Sequence, residues 1–431
     1  MKVCFETFGC RLNKAEALQM EADYLADGWE LTTVRDEANL FVVRGCSVTA
    51  KAQSDCEKLI AHLRHTYPNA AFRICGCLPN LSNPSNPSNL SNPSNPSNLS
   101  NPSNPSNLSN LPSRTARAYL KVQDGCSGTC TFCIVPHFRG KSRSVPFTKV
   151  LDTAKRFIDA GYHEIVITGC NLALYASEGK RLPELMEALA DLNASARSGK
   201  DSASPFRIRL GSLEPGACAQ DVVRCMAKHA SICRFLHIPI QSGSDRILAA
   251  MNRPYRASDI RDLLDLSVCL LPNLGLGCDL MTGFPGETED DFAATRELLT
   301  AFPFSNAHVF PYSERPGTPA AEFPDVVPPA IRSSRAQELT LLAKAKREAY
   351  ARSFVGQTVD IVIEGHDKAV GWTGEYLRCE ADAAVPRKSL VRVRVTHADG
   401  ERLRGSISPA STSSLRLKPN QERRTLVVRL S

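Results

Sequence analysis

No apolar run in this sequence approaches the length of a membrane span, which argues against an integral membrane protein. The first residues, MKVCFETFGCRLNK, lack the basic start and apolar stretch of a secretory signal. A strong charge of one sign is also absent. The 52 Lys and Arg exceed the 45 Asp and Glu by only +7. That excess permits an acidic partner such as RNA without demanding one. At 431 residues the chain is far too long for a cysteine-rich secreted miniprotein. At roughly 150 residues per domain, about three domains are expected. The expectation is a soluble, cytoplasmic protein, where thiols stay reduced. Its 16 cysteines then point to metal or redox chemistry rather than disulfides.

The chain divides at residues 82–108, three perfect copies of SNPSNPSNL. This stretch has no charge, no aromatic residue and one Leu per copy, and Pro recurs too often for a helix or central strand. It reads as a low-complexity linker, since a solenoid needs more apolar residues between its layers. Before it, the pattern predicts strands at 3–7, 39–44 and 72–75 and helices at 14–27 and 51–65, a small α/β unit. After it come six candidate strands, at 119–123, 164–168, 206–210, 235–240, 276–281 and 307–311. Helical patterns such as 148–160 and 289–302 lie between them, the second preceded by a Thr288-x-x-Asp291 capping signal. This alternation predicts a parallel barrel or partial barrel, with chemistry at the strand C-terminal ends.

From about residue 356 the segments TVDIVIEG, EYLRCEA, SLVRVRVTHADG and RTLVVRL predict a small all-β module. Thirteen Lys and Arg oppose nine Asp and Glu there, so most of the chain's excess charge lies in this module. Trp372 and Tyr376 stand among those charges and are candidates for stacking on bases.

The strongest chemical signal is Cys126-Ser-Gly-Thr-Cys130-Thr-Phe-Cys133, directly after the first barrel strand. Three thiolates on one loop can hold three irons of a cubane and leave the fourth open to a small molecule. Zinc, the competing reading, usually takes four ligands in paired C-x-x-C form, and no fourth is near. The glycines at 125 and 128 let the backbone wrap closely round such a core. Three more cysteines follow strand-like segments: Cys10 in TFGCRLN, Cys46 in VVRGCSVT and Cys77 in ICGCLP. The other ten default to buried or incidental thiols.

The C-x-x-x-C-x-x-C motif resembles the signature of radical S-adenosylmethionine (SAM) enzymes. The three earlier cysteines resemble the N-terminal domain of the methylthiotransferases within that superfamily. HIPIQSGSDRILAAMNRPY, DLMTGFPGETEDDF, FPYSERPGTPAA, ITGCNLALY and RIRLGSLEP match family motifs in order, and GWTGEYLRC resembles the family's RNA-binding TRAM module. The resemblance covers nearly all but residues 80–114. It implies an α/β chain with a small α/β N-terminal domain (1–79), the linker (80–113), a six-stranded partial (β/α) radical SAM barrel (114–352), an all-β TRAM barrel (353–420) and a tail (421–431). Because the repeat stands where the N-terminal domain normally continues, that domain is expected to be truncated and its site less enclosed.

The resemblance further implies two [4Fe-4S] clusters. Cys126, Cys130 and Cys133 would ligate the radical-forming one, which chelates and cleaves SAM, and Cys10, Cys46 and Cys77 an auxiliary one that carries sulfur. Phe132 would pack near the adenine of SAM, and Gly169, Ser212, Gln241 and Asp279, at or near strand ends, would line its pocket. The target adenine C–H is neither acidic nor electrophilic, so acid–base catalysis cannot open it, whereas a carbon radical can. TFGCRLNKAEA and GWTGEY most resemble the MtaB-type branch, which modifies N6-threonylcarbamoyladenosine beside the tRNA anticodon; isopentenyladenosine-modifying relatives usually carry Gln-Met where Arg11-Leu12 stand. Partners would be tRNA, an electron donor and a sulfur source, with no membrane, and the enzyme would be a monomer. A ribosomal-protein or isopentenyladenosine-tRNA methylthiotransferase, or an inactive RNA-binding relative with a disrupted auxiliary site, are the alternatives. One departure is Arg44-Gly45 before Cys46, where the family usually has Asn-Thr. Cys56 and Cys75 also compete as ligands.

Overall fold

The structure, a computed structural model, describes residues 1–78, 115–198, 206–216, 218–365 and 368–408. The nonapeptide repeat, RTLVVRL and the tail lie outside the described residues. The chain starts with β1 (Lys2–Thr7), α1 (Arg11–Ala26), β2 (Glu30–Thr32), β3 (Leu40–Gly45), α2 (Ala50–Thr66) and β4 (Ala71–Gly76). These strands form one parallel sheet in the order β2-β1-β3-β4. The run LFVVRG of β3 is buried along its whole length, as a central parallel strand requires. Helix α1 starts three residues before the sequence pattern predicts, with Cys10 as its N-cap residue. Thr49 caps α2 by accepting from the Ala52 N–H (3.2 Å). The short strand β2 has too few residues to show a period.

The barrel follows. Its first strand, β5 (Ala118–Lys121), leads through β6 (Gln123–Asp124), α3 (Val135–Arg139) and β7 (Arg143–Ser144) to α4 (Phe147–Asp159) and β8 (Glu164–Thr168). A small hairpin, β9 (Ala176–Ser177) and β10 (Lys180–Arg181), precedes α5 (Leu182–Ser198), β11 (Arg207–Leu210), α6 (Ala219–Lys228) and β12 (Phe235–Gln241). Then come α7 (Asp245–Ala250), α8 (Ala257–Leu270), β13 (Gly275–Thr282), α9 (Glu289–Ala301), β14 (Phe304–Pro311) and α10 (Pro329–Ser353). The Thr288–Asp291 capping box at α9 is present. Two three-stranded parallel sheets, β5-β8-β11 and β12-β13-β14, are joined by the bridge Ser212↔His237. Together they make the open six-stranded wall expected of a partial barrel.

Alternation sorts the two faces of that wall. Ile165, Ile167, Ile208, Leu210, Leu236, Ile238, Leu276 and Cys278 enter the core beneath the helices. Their neighbours face inward. Over β5 and β8 this inner face is covered by α1: Ala15 and Leu18 pack on Tyr119 and Val166. The N-terminal domain thus lies against the open side of the barrel.

The last module is a closed barrel in the order β15-β16-β17-β19-β18, from β15 (Thr358–Ile363), β16 (Ala369–Thr373), β17 (Arg378–Ala381), β18 (Leu390–Asp399) and β19 (Arg402–Ile407). Among the described residues, β19 completes the ring. A buried charge cluster anchors it. Glu164, fully buried, accepts from Arg207 Nε (2.7 Å) and Arg209 Nε (2.6 Å), with Arg117 at 3.5 Å. The spare guanidinium donors reach backbone carbonyls of the module: Arg207 to Asp360 (2.7 Å) and Trp372 (2.6 Å), Arg209 to Thr373 (2.6 Å) and Gly374 (3.0 Å).

This docking corrects the expected role of Trp372 and Tyr376. Tyr376 stacks between Phe235 (4.4 Å) and Trp372 (4.5 Å), with Arg11 and Arg209 over its ring. Arg117 and Arg378 cover Trp372, whose Nε1 donates to Glu364 (2.9 Å). Both rings are occupied by the domain junction rather than held open for bases. Burial alone would raise the Glu164 carboxyl, but Arg209, Arg207 and Arg117 outweigh it and hold the group well below the usual range. Its stabilising effect is therefore complete above about pH 4.3 and lost as pH falls through the lower folded value. Glu164→Gln should cost about 3–5 kcal/mol in urea unfolding at neutral pH, with a shallower acid loss. An unchanged unfolding midpoint would contradict this account of the junction.

Candidate active site

In a parallel sheet, ligand-binding groups collect beyond the carboxyl ends of the strands. Cys10 follows β1, Cys46 follows β3 and Cys77 follows β4, so all three leave the same edge. The edge is drawn tight by Phe8 N–H to Arg44 O (2.8 Å) and Cys77 N–H to Gly45 O (3.2 Å). Gly9 has a positive φ, and a Cβ there would press on Cys46 at 2.9 Å. Burial pushes the Cys46 thiol up to about 11, and the adjacent Cys10 and Cys77 thiols add to the rise. Cys46 and Cys77 are buried while Cys10 is exposed, so two of the three positions are enclosed despite the repeat.

The competing cysteines point elsewhere. Cys56 Sγ lies 3.4 Å from the Cys46 amide nitrogen and packs in the core under α2. Cys75 packs with Val3, Leu40 and Val42, its sulfur 3.5 Å from Arg44 Nη1. Arg44 in turn pairs with Glu16. The Arg44-Gly45 departure is thus accommodated: the arginine finds a carboxylate on α1, and Gly45 leaves room for Leu78, which a Cβ would strike.

The second group follows β6. Gly125 turns the chain at φ 66, where any Cβ would run into the Gly140 and Lys141 carbonyls. Cys126, Cys130 and Cys133 sit partly exposed on the next loop. Its shape is held from outside: Cys126 N–H donates to Gly140 O (3.0 Å), Thr131 N–H to Met251 O (3.1 Å) and Ala320 N–H to Thr131 O (2.9 Å). A Cβ on Gly128 would stand 3.3 Å from Cys126 Sγ and 3.9 Å from Cys130 Sγ, so glycine keeps the space between the thiols open. Burial pushes the Cys133 thiol up to about 12, and raises Cys130 despite the guanidinium of Arg253. Binding a metal centre would displace those protons.

Neither triad suits a single ion. Among the described residues, the group whose ligand atoms all lie within 4.8 Å of one another is His237, Asp279 and His308. Thiols set wider than that, around a space kept free of a Cβ, fit a polynuclear cluster better than zinc.

The other candidate residues are placed as follows. Phe132 packs edge-on against Phe284 at 6.5 Å. Gly169 follows β8, with no room for a Cβ beside Gln123 and Leu172. Ser212 is exposed beyond β11. Gln241 ends β12 at φ 70, buried, and its Oε1 has no partner among the described residues. Asp279 lies on the inner face of β13, 3.0 Å from His237 Nε2 and 3.3 Å from His308 Nδ1. Burial opposes its ionisation, but hydrogen bonds from the two imidazoles hold the carboxyl well below its usual range.

His237, Arg253 and Tyr255 lie in a family-like segment of the sequence that suggests pocket lining without a role, whereas nothing in the sequence points to Arg139 or Asn13. Arg253 donates to Cys130 Sγ (3.0 Å) and pairs with Glu214. It lies 123 residues from that cysteine, and no local pattern signals such a contact. Arg139 donates from Nε to Cys77 Sγ (3.0 Å) and from Nη1 to Glu16 (3.0 Å) and Asp124 (3.0 Å). Asn13 Nδ2 donates to the Phe8 (2.7 Å) and Gly45 (2.9 Å) carbonyls, while its Oδ1 accepts from Arg139 Nη2 (2.9 Å).

The open barrel with three cysteines beyond its first strand defines a radical SAM enzyme, and the Radical SAM superfamily profile matches residues 120–299. Residues 2–90 match the profile described as Uncharacterized protein family UPF0004. The chain is 30% identical over 437 residues to the tRNA-2-methylthio-N(6)-dimethylallyladenosine synthase of Cereibacter sphaeroides, covering 94% of this chain and 98% of that protein. It is also 30% identical over 409 residues to the threonylcarbamoyladenosine tRNA methylthiotransferase MtaB of Bacillus subtilis, covering 87% and 89%. The chain belongs to the radical SAM tRNA methylthiotransferase family. Among solved structures, the radical S-adenosylmethionine methyltransferase TsrM of Kitasatospora setae, with cobalamin and a [4Fe-4S] cluster bound, is similar at TM-score 0.52. At 12% identity over 74% of this chain and 77% of that one, the likeness is one of fold. No helix among the described residues is long and apolar enough to cross a membrane.

Asn13→Ala would remove a donor from the Phe8 carbonyl and one of two partners each from the Gly45 carbonyl and Arg139 Nη2. It should cost about 1–3 kcal/mol in urea unfolding of the metal-free protein. A neutral outcome would mean that Asn13 does not hold this edge together.

Proposed function

We propose that the enzyme adds a methylthio group to C2 of N6-threonylcarbamoyladenosine beside the tRNA anticodon, in the cytoplasm. The observation that carries the reading is the pair of cysteine triads brought to one place, where α1 covers the barrel wall. In this reading Cys126, Cys130 and Cys133 hold the radical-forming [4Fe-4S] cluster that takes SAM, and Cys10, Cys46 and Cys77 hold the auxiliary one. When bound, these groups would supply one-electron cleavage chemistry and a transferable sulfur, and a second SAM the methyl group, none of which a side chain of the protein can provide.

The chain's own residues seat and shield them. Gly128 keeps the space between Cys126 and Cys130 clear. Arg253 directs a guanidinium at the Cys130 sulfur. Phe132, packed against Phe284, offers an aromatic face beside the cluster loop. Gly169, Ser212 and Gln241 close the strand ends around the SAM pocket, and the unpartnered Gln241 Oε1 is a free acceptor there.

The choice of nucleoside is supported by the inner wall. His237, Asp279 and His308 are joined in one hydrogen-bonded group, and Asn306 Nδ2 lies 3.4 Å from His308 Nε2. Such a polar surface suits a threonylcarbamoyl substituent better than an apolar prenyl group. For the tRNA backbone, β18 and β19 present Arg392, Arg394, Arg402 and Arg404 on an exposed face. That face favours RNA through phosphate contacts, in place of base stacking by Trp372 and Tyr376, whose ring faces are already covered.

Anaerobically purified protein should carry about eight irons. Cys130→Ala should abolish SAM cleavage, and persistent cleavage would overturn the assignment of the radical cluster. Comparing tRNA nucleosides from cells with and without the gene tests the substrate. Loss of the methylthio form of threonylcarbamoyladenosine is expected. Loss of the isopentenyl form instead would identify the other branch, and an unchanged profile would defeat both tRNA readings.

A further inference from the structure

A single arginine ties the two cysteine groups together. Arg139 is the last residue of α3, six positions after Cys133, and the carbonyl of the next residue, Gly140, receives the Cys126 N–H at 3.0 Å. Its side chain runs the other way. It is 8% exposed, and its Nε donates to Cys77 Sγ at 3.0 Å. The remaining nitrogens bind Asn13 and Glu16 on the helix that begins beside Cys10, and Asp124, two residues before Cys126. One guanidinium therefore touches structure attached to every strand of the problem: a sulfur of the N-terminal group, the helix after Cys10 and the approach to Cys126.

The surrounding charges make this contact directional. Glu16 and Asp124 supply two negative charges, while Lys121, Arg44, Arg139 and Arg143 supply four positive ones. The excess positive charge lies beside the Cys77 sulfur. A cation that also donates a hydrogen bond stabilises added electron density on a thiolate, and hydrogen bonds to ligating sulfurs raise the potential of an iron–sulfur centre. Lysine could not do the same, because its point charge cannot engage the sulfur, Asn13 and two carboxylates with one planar fork.

We propose that Arg139 is a positioning residue that sets the reduction potential of the auxiliary cluster and holds it against the radical site. This rests on the reading that Cys10, Cys46 and Cys77 hold a cluster. The experiment uses the full chain with Cys126, Cys130 and Cys133 all changed to Ala, so that the auxiliary site alone takes up iron. Reconstituted parent protein should hold about four irons. Adding Arg139→Gln should move the midpoint potential to a more negative value and change the electron paramagnetic resonance signal of the reduced cluster. Arg139→Lys keeps the charge that Glu16 and Asp124 require, and should fold with an intermediate shift. In the otherwise native enzyme, either variant should raise the 5′-deoxyadenosine formed per methylthio product by about tenfold or more. Iron-free parent protein would overturn the auxiliary-cluster reading and this inference with it. A loaded parent whose potential is unmoved by both substitutions would overturn the inference alone.

Discussion

The seating of α1 on the inner wall of the barrel is the contact on which the site depends. Ala15 and Leu18 remove the open side of β5 and β8 from water by covering Tyr119 and Val166. Glu16, on the same helix, is pinned by Lys121 (2.6 Å), Arg139 and Arg44. Burial would raise its carboxyl, yet these three cations hold it ionised and well below the usual range. The apolar contact fixes the depth of the helix, and the ion pairs fix its rotation. Because Cys10 directly precedes the helix and Asp124 leads into Cys126, that one seating brings the N-terminal cysteine edge towards the cysteine loop of the barrel.

The opposite end of the wall is built on the same logic, one carboxylate among three cations. Glu164 is one carboxylate among Arg117, Arg207 and Arg209. The surplus guanidinium donors have to find acceptors, and they find them in carbonyls of β15, the end of β16 and the turn after it. Charges this deeply buried are tolerated only when nearly every donor is used. Arg11 also reaches that turn, lying over Tyr376 while donating to Leu210 O (3.4 Å). All three domains therefore meet around one aromatic side chain, and Tyr376 adopts φ 68 to reach it.

Much of the fold was legible because its elements carry strong local signals. The strand at Glu164–Thr168 is an uninterrupted buried run, and α9 is announced by its capping box. The placement of the cysteines was legible because each group follows a strand, and in parallel sheets strand ends gather. Short or irregular elements were harder: β2 is three residues long, and β14 begins three residues before its apolar pattern. Arg139 was invisible as a site residue, and Arg253 was legible only as pocket lining, without its contact to Cys130. An arginine near a cysteine motif is ordinary, and only folding across 62 and 123 residues brings their nitrogens to sulfur. Trp372 and Tyr376 misled for the related reason that an aromatic residue among arginines reads alike whether it meets a base or another domain.

The amino-acid sequence by itself determined the chemistry the chain can host, because three thiols on one loop and glycines that clear the space between them are local properties. It also determined the order of the domains, through periodicity and turn residues. Tertiary structure decided which groups act together. Whether a guanidinium neutralises a carboxylate, grips a thiol or covers a tyrosine depends on low-dielectric contacts between segments far apart in the chain, and those exist only once α1 lies on the barrel wall.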